Sequence, residues 1–219
     1  FGTAIDCLRL QAEWPAVSGV GPMMIVAIGY PGARYVEMAN MRRRCIDFLP
    51  PATSNSLEVR QSLFDPFDKS YPRKYLQPGG ADAFARWLST DLRASISDRY
   101  PINADKHSLA GHSLGGAFCA YALANHPGFF QRYAPLSASL WWDEGRIIRD
   151  LEALDPARLS PDFHALIALA DTEIPESPDV NAMMLRDSRA AYEALATKSG
   201  LKDKVQLVGL NGESHQSSQ

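Results

Sequence analysis

Gly111-His112-Ser113-Leu114-Gly115 sets one serine between two glycines in the pattern G-x-S-x-G, and Gly116 follows directly. A serine hydroxyl attacks an electrophile only when a base takes its proton and the backbone presents it. A strand running into a tight turn and then a helix meets the second need. The turn strains the serine backbone and lifts the hydroxyl clear of the sheet. Side chains at either flanking position are expected to collide with neighbouring backbone, which accounts for a glycine on both sides. The Leu114 N–H then lies at a helix N-terminus, where it can donate to a developing oxyanion.

His215, in Asn211-Gly212-Glu213-Ser214-His215, directly follows an apolar run and is the best candidate base, because a neutral imidazole near pH 7 can accept the serine proton. The other histidines compete poorly. His112 is held within the elbow and is expected to point away from the hydroxyl, His126 follows a helix end, and His107 and His164 stand at strand starts. An acid to orient the imidazole is available in Asp171-Thr172-Glu173, after another apolar run. Strand alternation turns Asp171 and Glu173 to the same side, so the pattern alone leaves both open.

These residues need elements to carry them. The apolar residues of Lys106 to Ala110 predict a strand, and Gly116 to Asn125 predict a helix with Phe118, Cys119, Ala122 and Leu123 at core spacing. Further strands are expected at Tyr133 to Leu140, Phe163 to Ala170 and Val205 to Leu210, with helices at Ala81 to Asp98, Arg146 to Leu154 and Val180 to Lys198. Near the start, Thr3 to Glu13 reads as a helix, and Met23 to Ile28 as a strand covered on both faces. Residues 33 to 80 are poorly patterned and read as a long excursion near a site opening. Strands alternating with helices imply an α/β fold: a mostly parallel central sheet with helices on both faces and ligands at the strand ends. Three such ends carry Ser113, then Asp171 and Glu173, then His215, in the order that the α/β-hydrolase architecture uses.

Composition narrows the class. The 219 residues suit one domain, 1–219, with a full core; a net charge of −3 without a basic stripe argues against a nucleic-acid binder. Arg42, Arg43 and Arg44 form the one tight basic run and read as a solvated helix face. The longest apolar run is too short to span a bilayer. Cys7, Cys45 and Cys119 lack metal-ligand spacing, and Cys7 and Cys119 read as small core hydrophobes.

Gly111-His112-Ser113-Leu114-Gly115-Gly116, Ser139-Leu140-Trp141-Trp142 and Gly212-Glu213-Ser214-His215 together resemble the esterase D/enterochelin esterase-like family of α/β hydrolases, and within it the siderophore trilactone esterase branch. Ile28-Gly29-Tyr30-Pro31 and Gly79-Gly80-Ala81-Asp82-Ala83-Phe84 resemble the same branch. Ala138 departs from it, standing where the family usually has proline. The resemblance implies first strands and an Asp-Gly loop with the other oxyanion donor before Phe1, and a final helix after His215. It favours Glu173 as the acid, with a Ser–His pair as the alternative, and a periplasmic or secreted location.

The expected activity is therefore that of a serine esterase, acting on a small-molecule ester through an acyl-enzyme on Ser113, with no metal or organic cofactor. Tyr30 and Trp141 are expected to line the cleft. Arg34, Arg44, Arg60 and Arg73 could attract an anionic ferric catecholate, or be solvated loop residues. An acyltransferase of the mycolyltransferase type and a catalytically inactive binding protein are the other readings.

Overall fold

The structure, a computed structural model, describes residues 21–30, 38–51, 78–103 and 105–217, the side chains of residues 38–42 excepted. The expectations for the helix at residues 3–13, Cys7, Arg34, Arg42, Arg60 and Arg73 lie outside these residues. The chain divides into two compact units, Phe1–Tyr35 and Val36–Gln219. In the first, residues 21–30 carry no regular secondary structure, and Met23, Met24, Val26 and Ile28 are exposed. The strand expected at Met23–Ile28 is thus not formed. An apolar run asks for cover, but a strand also needs a neighbouring edge to pair its N–H and C=O groups. The described sheet is built from other segments.

The second unit begins with helix α1 (Met38–Phe48). Helix α2 (Ala81–Trp87) follows and runs through a π-helical turn at Leu88–Leu92 into α3 (Arg93–Ser97). Strand β1 (Ser108–His112), helix α4 (Leu114–Asn125), strand β2 (Arg132–Leu136) and helix α5 (Arg146–Ala153) come next. Strand β3 (His164–Thr172), helix α6 (Pro178–Ala196) and strand β4 (Val205–Ser214) complete it. The four strands form one sheet in the order β1-β2-β3-β4, every pair parallel. Parallel strands need crossovers, and α4, α5 and α6 supply them.

Register puts Leu109, Tyr133, Ala165 and Val205 on one line across the sheet, and all but the half-buried Leu109 are buried. Ala110, Leu166 and Gln206, one position along β1, β3 and β4, face the other way and are exposed, and Ala134 of β2 is half-buried. The centre of the core is α4. Every residue of it except Gly115 and Asn125 is buried. A helix apolar on all sides is one enclosed on all sides, which explains why the sequence shows core residues beyond a single stripe. Phe118 of α4 meets Phe48 of α1 and Phe84 of α2 at ring-centroid distances of 5.7 and 5.0 Å. This aromatic trio ties both helices to the segment carrying the elbow. Cys45 and Cys119 are buried, and burial pushes the Cys119 thiol up to about 12, so it stays protonated as a small hydrophobe.

Boundaries differ from expectation where local chemistry intervenes. β2 ends at Leu136, not Leu140, because Ser137 takes a left-handed φ of 40°. α1 forms inside the stretch read as an unpatterned excursion. Its three consecutive arginines dilute the apolar stripe, although Cys45 beyond them is buried.

Candidate active site

Ser113 joins β1 to α4 with φ 59° and ψ −119°, a left-handed conformation that costs a serine backbone energy. Its surroundings hold it there. The Ser113 N–H donates to the Leu136 carbonyl at 3.0 Å, and its own carbonyl accepts from both Ala117 and Ser139, each at 3.0 Å. The elbow is thereby pinned to β2 and to the loop after it.

The glycines divide unequally. A Cβ on Gly111 would stand 2.1 Å from the Gly115 carbonyl oxygen, and one on Gly116 would stand 2.9 Å from the Leu136 carbonyl oxygen and from the Ala138 Cβ. Neither position can carry a side chain without moving backbone. A Cβ on Gly115 would meet only the Phe48 ring edge, at 3.9 Å, an ordinary contact. The steric requirement expected at both flanks therefore falls on Gly111 and on Gly116, one residue beyond the pentapeptide.

Ser113, His215 and Glu173 form one hydrogen-bonded line. The His215 Nε2 lies 2.9 Å from the Ser113 Oγ, and the His215 Nδ1 lies 2.9 Å from the Glu173 Oε2. An ionised carboxylate can only accept, so Nδ1 carries the proton and Nε2 is left to receive one from the serine. Glu173 is fully buried. Burial pushes its carboxyl up, but hydrogen bonds from His215, the Ser137 hydroxyl and the Ala170 N–H outweigh it and hold Glu173 below the ordinary range. The left-handed Ser137 thus ends β2 and aims a hydroxyl at the acid.

Asp171 is placed differently. Its carboxylate accepts the Gly212 N–H at 3.0 Å, bracing the end of β4 before His215, and it is exposed. Simple alternation would have put it beside Glu173. An irregularity between Ala170 and Thr172 breaks the register: Ala170 pairs with Leu210, whereas Thr172 pairs with Ser214. The bulge re-aims the strand end and sends the two carboxylates apart.

Leu114 is the first residue of α4, so its N–H has no carbonyl one turn earlier within the helix to meet. It adjoins the Ser113 hydroxyl at the positive end of the helix dipole. Ser139, buried in the loop after β2, brings its hydroxyl oxygen to 3.5 Å from the Ser113 Oγ. Its position follows from the Ser139 N–H bond to Ser113, a contact between loops that spacing does not reveal. Trp141 is half-buried against the core and Trp142 is inside it. Tyr30, in the first unit, is half-buried. Arg43 is exposed, whereas Arg44 is half-buried with its guanidinium 5.8 Å from the Phe48 ring centroid, so the basic run is only partly a solvated face. Among the described residues no group of His, Cys, Asp and Glu could hold a metal ion, and no helix is long and apolar enough to cross a membrane. A cavity lined by Asp82, Tyr121, His126 and Arg158 opens at the far end of α4, about 18 Å from the serine by helical rise, and takes no part in this arrangement.

The sequence matches the family model described as Putative esterase over residues 32–215. The ferri-bacillibactin esterase BesA of Bacillus subtilis is 30% identical over 215 residues, covering 98% of this chain and 69% of the relative. The siderophore triacetylfusarinine C esterase of Aspergillus fumigatus is 30% identical over 158 residues, 69% of this chain and 46% of the relative. The crystal structure of the BES protein from Bacillus cereus superposes with a TM-score of 0.79 at 24% identity, covering 99% of this chain and 75% of that one.

Proposed function

This chain belongs to the Putative esterase family of α/β hydrolases, and from that premise we propose that it hydrolyses siderophore esters with Ser113 as nucleophile, His215 as general base and Glu173 as the acid that orients it. The observation that carries the reading is the unbroken line from the Glu173 Oε2 through His215 to the Ser113 Oγ, both links at 2.9 Å.

In the first half-reaction the Ser113 Oγ bonds to the ester carbonyl carbon while its proton passes to the His215 Nε2. The carbonyl oxygen takes the negative charge and the Leu114 N–H donates to it. The tetrahedral intermediate then collapses. The bond to the alcohol oxygen breaks, and His215 returns its proton to that oxygen. Water repeats the sequence on the acyl-enzyme, giving up a proton to His215, and the acid leaves as Ser113 regains its hydrogen. Glu173 stays ionised throughout and offsets the imidazolium that forms twice per cycle.

The substrate class is drawn from the relatives, whose names specify siderophore esters. Trp141, half-buried after the Ser139 loop, is the aromatic surface we assign to stacking on an acyl ring. The test is Ser113→Ala, which should abolish p-nitrophenyl butyrate hydrolysis, a loss of roughly 10⁴–10⁶-fold in kcat, and also labelling by a fluorophosphonate probe. Activity above about a tenth of wild type would sink the serine mechanism.

A further inference from the structure

His112, the last residue of β1, is a side chain in contact with the imidazole that the proposed mechanism does not use. It is not turned away from the site as its place in the elbow suggests. Its ring centroid lies 4.6 Å from that of His215, with the planes tilted by 43°. Its ring also hydrogen-bonds to the His215 main chain. The His215 N–H is already given to the Glu173 carbonyl, and this bond favours the protonated ring, so the His215 carbonyl accepts and the His112 ring nitrogen donates.

Besides its link to Ser113, His215 is held by two bonds to Glu173 and by one from His112. The His215 N–H donates to the Glu173 carbonyl at 2.9 Å, and its Nδ1–H donates to the Glu173 carboxylate. Both tie His215 to the same partner residue. The third bond grips the carbonyl, and the His112 ring backs the imidazole. His215 stands just past the end of β4, in a turn, with exposed residues after it, so the main-chain bond to Glu173 is the last link it draws from the β3–β4 edge among the bonds described.

We propose that His112 is a positioning residue for the esterase reaction: its ring N–H holds the His215 carbonyl and its ring face backs the imidazole, keeping Nε2 aimed at Ser113. This inference rests on the assignment of Ser113 and His215 made above.

The electrostatics agree with a neutral donor. Burial, the facing His215 and the charge of Arg44 push His112 down to about 4, against the opposing pull of the His215 carbonyl and Glu173. An uncharged ring beside His215 does not oppose the positive charge that the base acquires in the transition state. The same position filled by a lysine or arginine would.

The experiment compares His112→Phe, which keeps an aromatic ring without the donor, with His112→Gln, which keeps a side-chain N–H. Steady-state kinetics on p-nitrophenyl butyrate are read for each, with Ser113→Ala alongside. The expected result is a kcat about 10-fold lower for His112→Phe with KM within about twofold, because misaiming a base by a fraction of an ångström slows chemistry without weakening ground-state binding. His112→Gln should recover to within about threefold of wild type. If phenylalanine is not accommodated and the variant fails to fold, His112→Leu against His112→Gln gives the same contrast. A kcat for the donor-less variant within twofold of wild type overturns the inference, as does an equal loss in the Gln variant. Activity retained in Ser113→Ala would instead overturn the assignment on which it rests. An inactive Ser113→Ala beside an unimpaired His112→Phe would overturn the His112 inference alone.

Discussion

Glu173 meets His215 twice, its carbonyl accepting the His215 N–H at 2.9 Å and its carboxylate accepting the Nδ1–H at the same distance. One residue thus sets both where the base sits and which tautomer it holds. Asp171, two residues earlier, accepts instead the Gly212 N–H near the end of β4.

That difference separates two isosteric changes. Glu173→Gln keeps the backbone contact but offers the imidazole an amide, which can stabilise the wrong tautomer and no longer offsets the imidazolium. A kcat at least ~10²-fold lower is expected, since misholding a triad imidazole costs up to ~10⁴. Asp171→Asn retains a carbonyl oxygen for Gly212 and should lower kcat by less than about threefold. Steady-state rates on one chromogenic ester decide it: a reversed ranking would move the acid to Asp171, and two near-wild-type variants would leave a Ser–His pair.

Glycine substitutions test the elbow apart from its chemistry. Gly111→Ala and Gly116→Ala each force a methyl into backbone and should destabilise the fold by several kcal/mol or prevent it, as overpacking against atoms that cannot yield does. Gly115→Ala meets only the Phe48 ring edge, and alanine favours a helix over glycine by up to ~1 kcal/mol. Its urea midpoint should equal or exceed that of wild type. A Gly115 variant as unstable as the Gly111 variant would contradict the packing described for α4.

Much of this was legible in the chain, for identifiable reasons. A glycine-flanked serine between an apolar run and an apolar helix leaves few local structures, so β1, the turn and α4 could be read within a few residues. His215 and the two carboxylates were legible as strand ends, because a parallel sheet collects its C-terminal ends on one edge. What stayed hidden depends on contacts between segments. The bulge that separates Asp171 from Glu173 arises from pairing with β4, and no property of residues 171–173 encodes it. The contact of His112 with His215 joins residues more than a hundred positions apart. The need for glycine at 116 comes from Ala138 and Leu136, on another strand and its loop. Met23 to Ile28 errs the other way: its composition suits a buried strand, but composition does not supply the neighbour.

Acid stability should carry the signature of His112. Its folded-state value of about 4 lies below the ordinary 6.5, so between those values the unfolded chain binds a proton that the folded chain refuses. Stability therefore rises with pH through this window and is lost on acidification. Glu173, also held low, contributes above the ordinary carboxylate range and loses its share only as pH falls through the lower folded value. His126, lowered by burial, acts with the same sign as His112, which makes a difference measurement necessary. Wild type should lose more stability than His112→Gln between pH 7 and pH 5, read as urea midpoints. Identical losses would mean that His112 is not held neutral by the fold.

The proposed substrate makes the most exposed prediction. An iron-loaded catecholate trilactone is large, flat-sided and anionic, whereas p-nitrophenyl butyrate is small and neutral. The charge of Arg44 acts on His112 beside the imidazole, and its guanidinium lies 5.8 Å from the Phe48 ring centroid. Attraction between that guanidinium and a catecholate strengthens binding only for the charged ester. The kcat/KM for the ferric trilactone should therefore exceed that for the butyrate by at least ~10-fold, or about 1.4 kcal/mol of differential transition-state stabilisation. The preference should shrink as ionic strength rises, because a half-exposed charge is screened over about 10 Å at 0.1 M salt. Arg44→Gln should reduce it in the same way and leave the butyrate rate nearly unchanged. Equal efficiency on both esters would leave a general carboxylesterase, and a preference insensitive to both salt and Arg44 would assign the selectivity to aromatic stacking, with Trp141→Ala as the variant that should then remove it.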